Sequence, residues 1–301
     1  MTILTTAGAP PTPPGLRRLR LQPSAPTAGP SPSAFSLMPH QQQAVDFIAS
    51  RPASGVWLGV GAGKTITALS ALQCIRPIGH ILVIAPVAIA RSTWLDEIEE
   101  RGFNIRTRSL IVDERDRKLS KKQRLERIKQ VFVDPPTMYF INQDLISRSP
   151  DKRCKVCHGD GLKDRVCTAC QTGLVDQMPV QKLRGPDGTL RDTIIWPFQT
   201  VIVDESQEFK SHSSNRFKAL RVVRPAITRF IELTGTPAPN GLEDLWSQIY
   251  LLDQGQALGA TITEFRRRWF TPKMIPGQTV PVGWDPNPGP NNRSTRRSRT
   301  W

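Results

Sequence analysis

Short apolar runs, bounded by glycine, proline and polar clusters, recur along the middle of this chain, with stretches of helical spacing between them. That alternation predicts an α/β domain around a parallel sheet, each run a strand buried on both faces. The runs cover residues 55–60, 80–85 (closed by Pro86), 138–141, 201–203 and 230–234. Helical periodicity covers residues 38–48, with Ala44, Phe47 and Ile48 on one face, and 66–75, with Ile66, Ala68, Leu69 and Leu72 inward. Cys74 on that second helix reads as packing. Further helices are expected over residues 89–98, 215–223, 242–252 and 263–270. The basic stretch 101–130 carries an apolar stripe of Leu125, Ile128 and Phe132; its lysines and arginines read as a solvated face, with contact to phosphates as the alternative. Residues 1–34 are rich in Pro, Ala, Ser, Thr and Gly and read as a disordered extension. Their basic knot at 16–21 reads as solvated linker, with contact to DNA phosphates as the alternative. Beyond residue 271 no periodicity remains.

Two of the strands end in chemistry. The run 201–203 passes directly into Asp204 and Glu205, at the carboxyl edge where open α/β sheets bind ligands. One carboxylate there can hold Mg²⁺ and the other can polarise an attacking water. The bland alternative is the solvated start of a loop. The run 55–60 leads into Gly61, Ala62, Gly63, Lys64 and Thr65 and then a helix, the setting that a phosphate loop requires. Glycines let backbone N–H groups close on phosphates, and the helix dipole adds to the attraction. Lys64 would reach the β- and γ-phosphates and Thr65 would ligate Mg²⁺. The strict pattern wants a glycine where Leu58 stands. Together the two stretches predict a nucleotide hydrolase. Gln41, entering the first helix, could read an adenine edge or stand solvated. Thr234 and Thr236 bring hydroxyls to the same edge.

The formal net charge of +15 changes the picture by suggesting a polyanionic partner, most simply nucleic acid; a merely basic, soluble surface is the alternative. No apolar run nears the ~20 residues that span a membrane, and no secretory signal is visible. The five cysteines, without an export signal, point to a reducing compartment. Four of them, Cys154, Cys157, Cys167 and Cys170, form two C-x-x-C knuckles. Two such pairs match a tetrahedral structural Zn²⁺ site, with Gly159, Gly161 and Gly173 allowing tight turns. Redox dithiols or unpaired thiols are the rivals. His158 reads as an exposed spare. The pattern of Cys154 to Gly161 also fits one unit of a J-protein co-chaperone zinc module, a weaker match because no full set of units follows.

These stretches, in this order, resemble the first motor lobe of superfamily-two helicases, most closely the Swi/Snf-related double-strand DNA translocases, including compact phage and bacterial forms. The resemblance lies in Met38–Pro39–His40–Gln41, in Gly61 to Thr65 and in residues 81–86 with Trp94 and Glu97. It continues in Asp204–Glu205–Ser206–Gln207 and in residues 233–240 with Leu245 and Trp246. It spans residues 35–270 apart from the cysteine insert. It implies a RecA-like three-layer α/β/α parallel sheet of the P-loop NTPase class. The lobe would cover 35–271, with a zinc-knuckle insert at 151–176 and an irregular basic tail at 272–301.

The resemblance further implies ATP as ligand, with Gln41 on adenine, Lys64 on the phosphates, Thr65 and Asp204 on Mg²⁺, and Glu205 activating water. Gln207, Thr234 and Thr236 would couple hydrolysis to grip on double-stranded DNA, and Ser92 and Thr93 would touch its phosphates. Gln207 stands where the family's box usually has histidine. Such motors take arginine fingers from a second lobe, and nothing after residue 270 resembles one. The expectation is thus an ATP-dependent DNA translocase lobe, truncated or split from a second lobe on a separate polypeptide, in a bacterial or phage-infected cytoplasm. The alternative is a nucleotide-gated DNA-binding protein without efficient turnover. RNA as the polymer stays open.

Overall fold

The computed structural model describes residues 36–162, 167–184, 188–277 and 279–287. The extension 1–34 and the arginines at 293–299 lie outside the described residues.

Six strands form one parallel sheet: β1 (Ala53–Trp57), β2 (His80–Ala85), β3 (Thr107–Ser109), β4 (Met138–Asn142), β7 (Phe198–Asp204) and β8 (Arg229–Thr234). Their spatial order is β1-β8-β7-β2-β4-β3. Because every pairing is parallel, all carboxyl ends share one rim. Strands β5 (Val180–Arg184) and β6 (Leu190–Ile194) form a separate antiparallel ribbon that the sequence reading did not anticipate. The ribbon's strands lack clear alternation, and most of their side chains are exposed.

The helices cover both faces, as the double burial of the strands demands. Helices α1 (Pro39–Ala49), α2 (Lys64–Ile75), α3 (Val87–Arg91) and α4 (Thr93–Glu100) bury Val45, Ile48, Leu69, Leu72 and Trp94 against Val83, Phe140 and Ile231. Helices α5 (Lys121–Gln130), α6 (Asn215–Val223), α7 (Leu245–Asp253) and α8 (Ile262–Trp269) bury Ile128, Phe217, Leu220, Trp246 and Phe265 on the other face, against Tyr139, Val201 and Phe230. This is the RecA-like three-layer sandwich expected.

Several local expectations change. In α1 Ala44 and Ile48 are buried as expected, but Val45 joins them in place of Phe47, which is half-exposed beneath the Arg51 guanidinium. Cys74 is exposed at the end of α2. The expected helix over 89–98 breaks at Ser92, whose backbone leaves helical geometry. In α5, Phe132 lies beyond the helix and is exposed; the buried stripe is Arg124, Ile128 and Val131. The tail forms an antiparallel pair, β9 (Phe270–Lys273) with β10 (Gly283–Pro286), where the sequence shows no period. Trp284, stacked with Arg266, helps to hold it.

The cysteine insert docks on the turn that follows β4. Leu174 and Val175 donate backbone hydrogen bonds to Leu145 and Ile146. Asp176 accepts from the Ser147 hydroxyl at 3.0 Å and the Arg148 amide at 2.8 Å. Gly173 serves this junction, since a Cβ there would stand 2.4 Å from the Ser147 Cα.

Glu232, on the interior strand β8, is fully buried, and neither carboxylate oxygen has a hydrogen-bond partner. Burial pushes its carboxyl well above the usual range, while the charge of Arg224 opposes the shift. A proton held more tightly in the folded state contributes stability at low pH, which is lost as pH rises through the folded pKa. Glu232→Gln keeps the shape without the charge. It should raise the urea midpoint more at about pH 8 than at about pH 5; equal shifts at both pH values would contradict this.

Candidate ATP site at the sheet rim

The phosphate loop leaves β1 at Leu58, whose amide donates to the Thr234 carbonyl at 3.1 Å and so continues the β1–β8 pairing. Gly61 and Gly63 then take left-handed backbone angles, and Gly63 caps α2. Any side chain at Gly63 is strained by its φ of +79°, and its Cβ would stand 2.3 Å from Gln41 Nε2. That amide donates to the Ala62 carbonyl at 3.1 Å. Gln41 Oε1 accepts from the Met38 amide at 3.0 Å. Gln41 therefore links the start of α1 to the loop. Gly63→Ala should cost about 1–3 kcal/mol through the forced backbone and should weaken ATP binding by displacing Gln41. Urea unfolding and equilibrium binding read the two effects; an unchanged midpoint would count against this loop geometry.

Lys64, the first residue of α2, points across the rim. Its Nζ lies 3.8 Å from Glu205 Oε1, and both side chains are largely buried. Thr65 follows on the same turn. The rim thus brings together the ends of β1 and β7, although β8 runs between them.

Asp204 is 3% exposed at the end of β7. Burial raises its carboxyl above the usual range, partly offset by a hydrogen bond from Trp94. The Trp94 Nε1–H donates to Oδ2 at 3.0 Å, and the Glu205 amide donates to Oδ1 at 3.0 Å. Glu205 itself has a φ of +53° and ψ of 58°, the left-handed region that costs a non-glycine residue roughly 1–2 kcal/mol. Neighbours enforce it. Gln143 Nε2 donates to the Asp204 carbonyl at 3.0 Å and reaches the Glu205 carbonyl at 3.4 Å. The buried Ser206 hydroxyl donates to Gln248 Oε1 at 2.9 Å. This turn lifts the Glu205 carboxylate out of the strand direction, toward Lys64.

A polar chain extends from it. Gln207 Nε2 donates to Glu205 Oε2 at 3.0 Å, and the Thr234 hydroxyl donates to Gln207 Oε1. The Thr236 amide donates to the Thr234 hydroxyl at 3.0 Å. Glutamine, with a donor and an acceptor on one amide, can relay between β7 and β8 in the place of a histidine. Gln248 on α7 donates to the Pro237 carbonyl at 2.6 Å and holds the following loop. Ser92 and Thr93 are exposed at the break between α3 and α4; Ser92 donates to the Ala88 carbonyl at 3.1 Å.

Sequence reasoning placed Trp94 in a motif but did not find its hydrogen bond to Asp204. Gln143 and Gln248 were missed as supports. Gln143 follows β4 at the same rim, a readable signal. Gln248 sits mid-helix, where nothing in the pattern marks it.

The four cysteine sulfurs of the insert lie within 4.8 Å of one another. The Cys154 and Cys167 sulfurs are 3.8 Å apart, those of Cys157 and Cys170 3.4 Å. A tetrahedral site with ~2.3 Å metal–sulfur bonds has edges of about 3.8 Å, so the set fits Zn²⁺. Backbone N–H groups of Cys157 and Val156 lower the Cys154 thiol, whereas Cys170, despite a backbone hydrogen bond at Asp151, is raised by burial and by its sulfur neighbours, so the crowded sulfurs share protons rather than all ionising. His158 is exposed and outside the set. No helix among the described residues is long and apolar enough to cross a membrane.

Comparison with known proteins places this architecture. The family profile for the SNF2-related domain matches residues 40–274. Putative protein p41 of Acyrthosiphon pisum secondary endosymbiont phage 1 is 31% identical over 255 residues, covering 81% of this chain and 45% of p41. The DNA excision repair protein ERCC-6-like of Bos taurus is 26% identical over 244 residues, covering 78% of this chain and 16% of that protein. The chain therefore spans less than half the length of these relatives. The solved SWI2/SNF2 ATPase core of Sulfolobus solfataricus in complex with dsDNA aligns with a TM-score of 0.48 and 18% identity, covering 78% of this chain and 39% of that one. The match of the SNF2-related profile across most of the chain settles its membership: this protein belongs to the SNF2-related family and carries an ATPase/helicase-type domain of that family.

Proposed function

We propose that this chain is the ATP-binding lobe of a DNA translocase, hydrolysing ATP in step with movement along duplex DNA. The observation that carries this reading is the approach of Lys64 to Glu205 at 3.8 Å, beside Asp204. One side of the rim offers an ammonium group and loop amides, and the other offers two carboxylates. A triphosphate would pair with the first side directly and with the second through its metal.

The lobe occupies residues 35–271, with the insert at 151–176 as a rigid attachment, the tail at 272–301 and the extension at 1–34. Gln41 gives up the Ala62 carbonyl to pair with adenine. The amides of Gly61 to Thr65 cradle the phosphates. Lys64 leaves Glu205 for the γ-phosphate, and the freed carboxylate accepts a proton from the attacking water. Thr65 and Asp204 would hold Mg²⁺, which would neutralise charge on the phosphate oxygens. Trp94 and the Glu205 amide keep the Asp204 carboxylate aimed. Gln207 senses the change at Glu205 and passes it to Thr234 and Thr236, and so to the loop after β8. Ser92 and Thr93 contact DNA phosphates. An arginine from a second lobe, on this or another polypeptide, completes the site; such residues are worth roughly 10³–10⁵ in rate in related chemistry. The cysteine set holds structural Zn²⁺. A phage-infected or bacterial cytoplasm fits the phage relative.

The test is ATP turnover by the full chain with and without duplex DNA. Stimulation by duplex supports the motor. ATP-dependent DNA binding with no turnover under any DNA condition would replace it with a nucleotide-gated binder.

A further inference from the structure

Helix α5 buries an arginine where its spacing calls for an apolar residue. Arg124, Ile128 and Val131 form the inward stripe, and Arg124 is 5% exposed. Its Nε and Nη1 are buried without a hydrogen-bond partner. Arg224, also buried, and the partly buried Arg127 behave differently. Arg224 donates to the carbonyls of Leu251, Ile227 and Leu252. Arg127 donates to those of Ser109 and Val112 and pairs with Glu114.

Arg124 lines a cavity of about 290 Å³ between α5 and the cysteine insert. Among the described residues, the rest of the lining is Lys121, Lys122, Thr168, Thr172 and Gln177, with Leu125 and Ile128, and includes no carboxylate. The Thr172 hydroxyl is also buried and unpartnered. Lys121 donates to the Ala169 carbonyl at 2.8 Å and so ties the two walls together. Arg148 adds a like charge acting on Arg124. A guanidinium cannot shed its proton, so burying it without a counter-ion is costly. Two orphaned donor groups, flanking lysines and no acid describe a pocket for an anion with several acceptor oxygens.

We propose that this cavity is a phosphate-binding site, in which Arg124 and Thr172 bind the anion and Lys122 and Thr168 close over it. It lies at the junction of insert and lobe, so an occupied site braces one against the other. The phosphate could be a free anion or belong to a nucleic-acid backbone, since both present the same oxygens.

The test uses the full chain in a Lys64→Ala background, which weakens any phosphate signal from the nucleotide rim. Thermal unfolding is followed against inorganic phosphate at constant ionic strength, with and without Arg124→Met. The expected result is a saturable rise in midpoint that becomes about 10- to 100-fold less sensitive to phosphate in Arg124→Met. The phosphate-free midpoint should stay level or rise, because the variant removes an unpaired buried charge. The same phosphate response in both proteins, or none in either, overturns the site. If Arg124→Met does not fold, Thr172→Val reads the same cavity: weaker phosphate dependence supports it, and unchanged dependence overturns it. The source is read from duplex affinity against salt. A slope smaller by about 0.9 in Arg124→Met assigns the anion to a DNA phosphate. An unchanged slope, with the phosphate response lost, assigns it to a free anion. Neither arm needs ATP turnover, so failure here and failure of the motor reading are told apart.

Discussion

Glu205→Gln should lower duplex-stimulated ATP hydrolysis about 10²- to 10⁴-fold, the range for losing a positioned general base, while ATP affinity changes far less. The carboxylate stands 3.8 Å from Lys64 and accepts from Gln207 at 3.0 Å. Glutamine keeps the shape and can still meet Gln207, but it cannot take a proton from water. It also removes the negative partner that holds Lys64 before nucleotide arrives, which favours phosphate binding. Steady-state turnover together with equilibrium binding of a non-hydrolysable ATP analogue separates the two effects. Equal loss in both would mean that Glu205 holds the lobe together and does not serve the chemistry.

Cys157→Ser or Cys167→Ser should abolish metal binding and dismantle the insert. Both cysteines are buried, and their four-sulfur set matches a tetrahedral edge. Structural zinc contributes about 10–16 kcal/mol of binding free energy at neutral pH in small zinc modules, and this insert has few apolar residues of its own to replace it. Its exit does pack: Leu174, Val175 and Met178 join the main core. Loss of metal should therefore lower the melting temperature of the lobe as well as expose residues 151–176 to protease. Metal analysis should find about one zinc per wild-type chain and markedly less in either variant. Unchanged zinc content would dismiss the site, and a disulfide formed without metal would favour a redox dithiol.

The sheet was legible because buried parallel strands are nearly continuous apolar runs, and five of the six announced themselves. The three-residue β3 did not: Thr107, Arg108 and Ser109 carry no apolar signal, and the strand exists only because β4 offers an edge. The rim was legible for a different reason. Phosphate and metal chemistry narrows the choice of residues at fixed points on the chain, so Lys64 and the 204–205 acids could be named from short motifs. What escaped was support at long range. Trp94 reaches Asp204 across 110 positions, and no local pattern contains that distance. Gln143 reaches it across 61. Arg124 escaped because a basic helix face reads as solvated, and burial of a charge depends on the insert folded over it. The helix over 89–98 was read as continuous because its composition permits helix throughout; the break falls at Ser92, whose hydroxyl donates back to the Ala88 carbonyl.

The central claim is that a nucleotide triphosphate sits between Lys64 and the acid pair at the end of β7. Equilibrium titration of a fluorescent ATP analogue with Mg²⁺, into wild type and Lys64→Ala, addresses it most directly. Loss of the ammonium contact to phosphate should weaken binding at least ~10-fold, with circular dichroism unchanged. Equal affinity in the two proteins, both folded, would contradict the account.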